Sequence, residues 1–190
     1  MPSAGFYPRG GGRFAADIPA NCQLRGLTLL DRPPITRVAG FSAVAGLPDH
    51  IAKRQAARAT ERLEAAGLEA DIRLATWPGG PGSVLALVLE EAPVPTLFFG
   101  LGARGKRAEA VADEAVEQAL AYTAADAPVD EHSADQLVLP LAFAEGPSEY
   151  RTDRVTRHLL TNIEVVRKFI RRPIECVGEE GEPGTVRIGA

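Results

Sequence analysis

The sequence predicts an α+β protein, in which a layered domain of strands and helices is interrupted by a smaller inserted domain of strand, helix, strand and strand. Near the C-terminus, apolar residues recur with a helical period at Leu159, Ile163, Val166 and Ile170. Elsewhere, short apolar runs are separated by glycine and proline clusters, which is typical of strands joined by turns. Helices that are mixed with strands and hairpins in this way indicate the α+β class.

The composition excludes several classes of protein. The chain has 190 residues, 45% of them hydrophobic and 24% charged, which is sufficient for one sizeable core or two small ones. Its formal net charge of -4 argues against nonspecific nucleic-acid binding by the whole surface. Any contact with RNA is therefore expected at local basic clusters such as Arg104, Lys106 and Arg107. No apolar run approaches the ~20 residues that span a bilayer, so no membrane role is predicted.

The two cysteines, Cys22 and Cys176, lie far apart in the sequence and show no metal-ligand spacing. No N-terminal run has the apolar core of a signal peptide. Together these observations predict a reducing, cytoplasmic location.

The first element is a glycine-rich turn at residues 5–13. A phosphate-binding loop requires a preceding strand and a following helix N-terminus, and the sequence has neither pattern here. We therefore interpret the cluster as a tight turn that leads into a strand at 13–18, because glycine adopts positive φ without strain. A further strand is predicted at 24–30, closed by the charged and proline-rich residues 31–34.

Prolines bound the next segment, residues 35–93, which we interpret as the inserted domain. Pro48 and Asp49 open its helix, and Gly67 ends it. The predicted elements, in order, are a strand at 36–45, a helix at 48–66, and strands at 70–76 and 84–90.

The helix of this segment is rich in charged residues. Its basic members are Lys53, Arg54, Arg58 and Arg62, and they are interspersed with glutamates. Two interpretations remain open, a face for RNA and an ordinary mixed, solvated surface, and we favour the second.

The chain then continues with elements that resume the layered domain. A strand at 96–101, a basic glycine loop at 102–107 and a helix at 108–122 follow the order that suits phosphate binding, although a simple connector explains the loop equally well. A helix at 130–144 contains Pro140, which removes one backbone hydrogen bond. The predicted C-terminal hairpin has its strands at 173–177 and 185–188.

His158 is the strongest candidate for a catalytic residue. Thr156 is a candidate N-cap, so His158 is predicted in the first turn of the last helix, where free backbone N–H groups and the helix dipole attract anions and disfavour an imidazolium ion. A neutral imidazole nitrogen there can attack phosphorus. A solvated or capping histidine is the commoner occupant of a first turn, and spacing alone leaves both interpretations open.

Four segments, in one order, carry a resemblance to a known family. They are Gly5–Gly12, Arg104–Glu109 with Val111–Ala112, Asp130–Leu137 and His158–Asn162. Their order and intervals, with the strand, helix, strand, strand insertion between the first and the second, resemble the RNA 3'-terminal phosphate cyclase family over essentially the whole chain.

The resemblance implies an ATP-dependent reaction in three nucleotidyl-transfer steps. The family's motif histidine, which matches His158, attacks the α-phosphate of ATP and forms a covalent histidine-AMP. AMP then passes to an RNA 3'-phosphate end, and the neighbouring 2'-hydroxyl displaces it to leave a 2',3'-cyclic phosphate. A divalent cation such as Mg²⁺ is implied, because it would offset the polyphosphate charge.

Four further site residues follow from the same resemblance. His132 matches the position of an aromatic ring against adenine, and Asp135 and Gln136 match an acid-amide pair. Their i, i+3 and i+4 spacing predicts that all three share one helix face. Phe99 matches part of the adenine pocket wall, although without the resemblance its strand position indicates a core residue.

Some features depart from the family pattern. Ala103 replaces a usually acidic residue, and Ser133 replaces a usually aliphatic one. The chain starts where the second half of a family member would, so the RNA 3'-phosphate pocket and the metal-facing acid are expected from a separate N-terminal half, and no metal ligand is predicted here. The catalytic domain is then discontinuous, at 1–34 and 94–190, around the inserted domain at 35–93.

Two hypotheses of function follow. The first is the C-terminal portion of a cyclase, which acts as an enzyme together with the N-terminal half. The alternative is a noncatalytic RNA-binding or assembly module, similar to the cyclase-like relatives in ribosome biogenesis. Those relatives lack the nucleophilic histidine, so His158 counts against the alternative. In either case an apolar face that normally packs on the missing half predicts self-association of this chain alone.

Overall fold

The computed structural model describes residues 5–18 and 23–189. Within them, eight strands and four helices form two mixed sheets with helices packed on them, which confirms the α+β class. The helices are α1 (His50–Ala65), α2 (Ala108–Ala124), α3 (Glu131–Phe143) and α4 (Arg157–Phe169). The strands are β1 (Thr28–Leu29), β2 (Arg37–Ala45), β3 (Glu69–Trp77), β4 (Gly82–Leu89), β5 (Thr96–Leu101), β6 (Ser148–Thr152), β7 (Ile174–Val177) and β8 (Gly184–Ile188).

The contacts divide the chain into two compact units. The first contains the described residues among Met1–Ile18, Ile35–Glu90 and Leu97–Ala121, and the second those among Pro19–Pro34, Glu91–Thr96 and Tyr122–Ala190. Most of the predicted inserted segment, residues 35–90, thus lies in one compact unit with residues 97–101 of β5 and most of α2. Its assignment as an insertion into a discontinuous domain, 1–34 and 94–190, stays a prediction.

The sheet of the first unit has the strand order β3-β2-β4-β5. β2 and β3 run parallel because α1 crosses over between them, whereas β2 and β4 are antiparallel. α1 packs on this sheet through Ala52, Ala59 and Leu63, and the fully buried Gln55 lies among them. The Gln55 amide accepts a hydrogen bond from Ser42 Oγ (2.8 Å) and donates one to Ser83 Oγ (3.0 Å), so that the buried amide links the helix to two strands.

The arginines of α1 form ion pairs with carboxylates of α2. Arg54 makes a two-bond contact with Glu109, at 2.8 Å for each bond, and holds the pKa of that carboxyl down at about 2. Arg58 and Arg62 both contact Asp113 at 2.9 Å. These acids neutralise the basic residues, which supports the mixed charged surface rather than a face for RNA.

The sheet of the second unit has the order β1-β6-β8-β7. β1 is parallel to β6, and the other two pairings are antiparallel, including the predicted C-terminal hairpin of β7 and β8. α3 and α4 contribute Val138, Leu159 and Ile163 to a core that also contains Tyr150 and Val186 of this sheet. The helical stripe predicted for α4 is therefore its buried face.

The N-terminal glycine cluster forms the predicted turn. The Gly10 N–H donates to the Phe6 carbonyl at 2.8 Å, and Gly10 and Gly11 adopt φ of 63° and 81°. These left-handed values explain why glycine occupies both positions. The predicted strand at 13–18 is wrong, because those residues are exposed and form no strand.

Two other predictions of strands need correction. The strand predicted at 24–30 is reduced to β1, Thr28–Leu29, with an isolated bridge from Arg25 to Glu145. β6 was not predicted, because its inward-facing residues, Ser148, Tyr150 and Thr152, include two small polar ones that break the apolar alternation. The helix predicted at 130–144 begins one residue later, at Glu131, since Asp130 is its N-cap.

Candidate active site

His158 lies at the N-terminus of α4, as predicted. Thr156 is the N-cap with an extended backbone, and its Oγ1 accepts a hydrogen bond from the Leu159 N–H at 3.1 Å. His158 is the second residue of the helix and is exposed, while Leu159 next to it is fully buried. The buried neighbour and the cap hold the first turn in place, so the imidazole is presented to solvent from a rigid element.

The N-terminus of α3 has two capping hydrogen bonds to its N-cap side chain, whereas that of α4 has one. Asp130 is buried, and its Oδ1 accepts hydrogen bonds from the N–H groups of His132 (3.0 Å) and Ser133 (3.1 Å). Its Oδ2 accepts a further bond from Thr96 Oγ1 at 3.3 Å. The carboxylate therefore determines where the first turn of α3 begins, and with it the position of His132.

The two helix N-termini open on one cavity of about 320 Å³. Its lining residues are Glu131, His132, Asp135, Gln136, Thr156 and His158. Four of the five predicted site residues are thus brought together from two segments that lie more than twenty residues apart in the sequence. The cavity lies at two helix N-termini and is lined by two imidazoles, two carboxylates, an amide and a threonine. The helix N-termini suit a phosphate group, and the polar side chains suit a ligand that forms hydrogen bonds.

Phe99, the fifth predicted residue, does not line this cavity. It lies on β5, in the first compact unit, with its side chain half exposed (50%), whereas its neighbour Phe98 is buried. The alternative of a core residue is therefore wrong for Phe99. Its role against adenine stays a prediction.

Glu131 lines the cavity and was not predicted. Its carboxylate lies 3.8 Å from His132 Nε2 and 3.7 Å from Arg154 Nη1, so it stands between a residue of the cavity and the loop that precedes α4. An acidic residue directly after an N-cap is a common signal of a helix start. Because Glu131 fits the pattern of a helix start, the sequence offered no separate reason to predict it as a residue of the site.

Asp153, in the same loop, is the most perturbed carboxyl group of the second unit. Burial first, and then the negative charges of Asp130 and Glu131, raise its pKa to about 6, against the lowering effect of the Thr152 hydroxyl. The cap of α3 and the residue after it thus act electrostatically on a carboxyl group of the loop that precedes α4. The arginine-rich sequence around Asp153 gave no signal of this, because a carboxylate among arginines is expected to be paired.

Side-chain hydrogen bonds connect α3 to its neighbours. Asn162 of α4 donates from Nδ2 to the main-chain carbonyl of Asp135 at 2.6 Å. The Tyr150 hydroxyl of β6 donates to the preceding carbonyl, that of Ala134, also at 2.6 Å. The helix that carries four of the cavity residues is therefore held from the sheet and from α4.

The basic loop at 102–107 is a connector in the structure. Lys106 Nζ donates to the Leu101 carbonyl (2.9 Å) and forms an ion pair with Glu114 at 2.5 Å. Gly105 adopts φ of 81°, which explains the glycine there. Because Lys106 is occupied by these two contacts, the connector interpretation gains support over phosphate binding.

In 5–18 and 23–189 no group of three or more histidine, cysteine or acidic side chains is arranged to hold a metal ion. Within the same ranges no helix is long and apolar enough to cross a membrane. Cys176 is a free cysteine, while Cys22 lies outside the described residues.

The fold and the cavity define an α+β protein with a candidate active site between two helix N-termini. The family model for RNA 3'-terminal phosphate cyclase matches residues 1–176, and this chain therefore belongs to that family.

Proteins named RNA 3'-terminal phosphate cyclase are similar to this chain over most of its length. The protein from Gloeothece citriformis is 40% identical over 166 residues, which are 87% of this chain and 47% of that protein. The one from Trichormus variabilis is 42% identical over 166 residues, covering 87% and 48% respectively. The one from Salmonella typhimurium is 39% identical over 178 residues, covering 93% and 51%. The chain thus spans about half the length of the curated relatives it matches.

Proposed function

We propose that this chain carries the adenylate acceptor, His158, of an ATP-dependent RNA 3'-terminal phosphate cyclase. The single observation that carries the proposal is the cavity in which His158 on α4 meets His132, Asp135 and Gln136 on α3. Membership of the cyclase family supports the substrate class. The reaction is the conversion of an RNA 3'-phosphate to a 2',3'-cyclic phosphate.

The proposed chemistry begins with His158. A neutral imidazole nitrogen attacks the α-phosphorus of ATP, a phosphorus–nitrogen bond forms, and the bond to the bridging oxygen breaks as pyrophosphate leaves. An oxygen of the RNA 3'-phosphate then attacks the same phosphorus and releases the imidazole. In the last step the RNA 2'-hydroxyl attacks the 3'-phosphate, loses its proton and displaces AMP, which closes the cyclic phosphate.

The residues of α3 hold the nucleotide in this proposal. The His132 ring stacks on adenine, and the Asp135 carboxylate and the Gln136 amide form hydrogen bonds with the ribose and the base. The positive end of the α4 dipole attracts the phosphates toward His158. The cavity residues therefore bind and orient the α-phosphate for in-line attack.

A divalent cation such as Mg²⁺ would offset the charge of the triphosphate when bound. Within residues 5–18 and 23–189, no group of three or more histidine, cysteine or acidic side chains is arranged to hold such an ion. We propose that its ligands, and the pocket for the RNA 3'-phosphate, come from a polypeptide that corresponds to the unmatched half of the relatives, whether in the same chain or in a separate one.

Labelled ATP tests the proposal directly. The chain is incubated with ATP labelled at the α-phosphate and Mg²⁺, with and without the unmatched portion of the Salmonella typhimurium relative. We expect acid-labile label on His158 at least when that portion is present. His158→Ala abolishes the label, whereas His50→Ala, which alters the exposed histidine at the start of α1, leaves it unchanged.

No label under either condition would disprove the proposal. RNA binding that survives His158→Ala, in a wild-type chain that is never adenylated, would instead favour the noncatalytic RNA-binding module.

A further inference from the structure

Asn162 lies one helical turn after His158 on α4, so the two side chains project from the same side of the helix. Its Nδ2 donates to the Asp135 carbonyl at 2.6 Å, across 27 residues of sequence. A main-chain carbonyl can only accept, so the amide nitrogen must face it. Asn162 thus ties the helix that carries His158 to the helix that carries the other cavity residues.

α3 requires such a tie because of Pro140. Proline has no N–H to donate to the carbonyl four residues earlier, that of Gln136, so the helical ladder is interrupted directly after the cavity residues. The orientation of the first two turns of α3 then depends on contacts from outside the helix. Two donors supply them at successive carbonyls, Tyr150 at Ala134 and Asn162 at Asp135.

The two donors act differently. Tyr150 is fully buried on β6 and attaches α3 to the sheet. Asn162 is half-buried and connects α3 to the same helix that presents His158. Asn162 therefore forms a direct hydrogen bond between the two helices that line the cavity.

We infer that Asn162 is a positioning residue for adenylyl transfer, one that sets the distance from the His158 imidazole to the nucleotide held by α3. This inference rests on the proposed function. Reactions of this kind depend steeply on geometry, since a displacement of about 1 Å can lower a rate on the order of 10²-fold.

Two substitutions test the inference. Asn162→Asp keeps the size of the side chain but replaces the donor with an acceptor that faces the Asp135 carbonyl. Asn162→Ala removes the whole amide group and introduces no acceptor. We expect the single-turnover rate of His158 adenylation to fall about 10- to 100-fold in both variants, while the dissociation constant for ATP changes less than about threefold. Thr161→Ala, at the exposed neighbouring position, is the matched control and leaves both quantities unchanged.

A slower adenylation of His158 with a nearly unchanged dissociation constant for ATP distinguishes a positioning role of Asn162 from a general structural role. Loss of one hydrogen bond lowers the melting temperature by about 2–4 °C, and the same loss without a change in the adenylation rate would overturn the inference. A decrease in ATP affinity as large as the decrease in the adenylation rate would also overturn the inference.

A second measurement does not depend on activity. Residual dipolar couplings of the nucleotide-free chain report the angle between α3 and α4, and we expect this angle to change in Asn162→Asp and not in Thr161→Ala. If the wild-type chain is never adenylated, the proposed function fails, while the couplings still decide the positioning role. An unchanged angle in Asn162→Asp would disprove it.

Discussion

His158 and His132 occupy equivalent positions, each the second residue of a helix, but their surroundings differ in charge. α3 begins with the Asp130 cap and Glu131, and these two carboxylates offset the positive end of its dipole. α4 begins with a neutral threonine cap and has no acidic residue in its first turn. An anion is therefore attracted to the α4 side of the cavity, which is the side that presents His158.

Asp153 allows a prediction about pH. Its pKa is raised to about 6 in the folded protein, so the folded state holds this proton more tightly than the unfolded state does. The stability that Asp153 contributes is present below its ordinary pKa near 4 and is lost as the pH rises through about 6. We expect Asp153→Asn to remove this loss and to raise the free energy of unfolding at pH 7 by about 1–2 kcal/mol, after allowance for solvent screening.

Thermal melts between pH 4 and pH 8 measure this effect. The difference in melting temperature between Asp153→Asn and wild type should grow as the pH rises from 4 to 7. Asp126→Asn, an exposed position with left-handed backbone that asparagine tolerates, makes the same charge change and should show no such growth. A pH-independent difference for Asp153→Asn would refute the prediction.

Single residues of the site were predictable to different extents. His158 was predicted from helix periodicity and a cap, which are local properties of the chain. His132, Asp135 and Gln136 were predicted from the resemblance to the cyclase family, and all four residues line the cavity. Glu131 and Asp153 were not found, because their importance arises from neighbours that are distant in sequence or from burial. The structure places the four predicted residues together, while their roles remain proposals.

At the scale of elements, the cap of α4 can be tested by Thr156→Ala. The hydroxyl accepts the Leu159 N–H, and its loss leaves that donor without its capping partner. We expect a loss of about 1 kcal/mol in the free energy of unfolding, measured by urea denaturation. Thr161→Ala, exposed in the same helix, should change stability by less than about 0.5 kcal/mol. Equal losses in the two variants would contradict the capping role.

The helices were predicted more accurately than the strands. α1, α2 and α3 lie within two residues of their predicted bounds, since caps, prolines and apolar periodicity are signals within the segment itself. The strand predicted at 13–18 did not form and β6 was missed, because a strand exists only where a partner pairs with it. Residues 13–18 form no strand beyond an isolated bridge at Arg13. β6 pairs with β1 and β8 although it lacks an apolar pattern.

At the scale of the whole molecule, the exposed apolar residues of the second unit predict self-association. Leu139 and Phe143 of α3 and Val165 and Phe169 of α4 are all exposed, and each pair is spaced at i, i+4 on its helix. We expect the isolated chain to associate with increasing concentration in analytical ultracentrifugation. The double substitution Phe143→Ser and Phe169→Ser should reduce the association.

The replacement of another exposed pair provides the control. Glu179→Ser and Glu180→Ser lie in the turn before β8 and should not reduce self-association. A wild-type chain that remains a monomer at every concentration, with a cooperative melt, would show that this prediction is wrong.

The sequence by itself determined the α+β class, the bounds of α1, α2 and α3 to within two residues, and the Thr156 cap of α4. These follow from periodicity and capping chemistry, which act between residues close in the chain. The resemblance of its motifs to the cyclase family added four of the six residues that line the cavity. The tertiary structure alone decided that both helix N-termini open on one cavity, that Lys106 is held by Glu114, that Phe99 faces outward and that Asn162 joins α4 to α3. Such contacts join residues far apart in sequence, and only the packing of the elements brings their atoms within bonding distance.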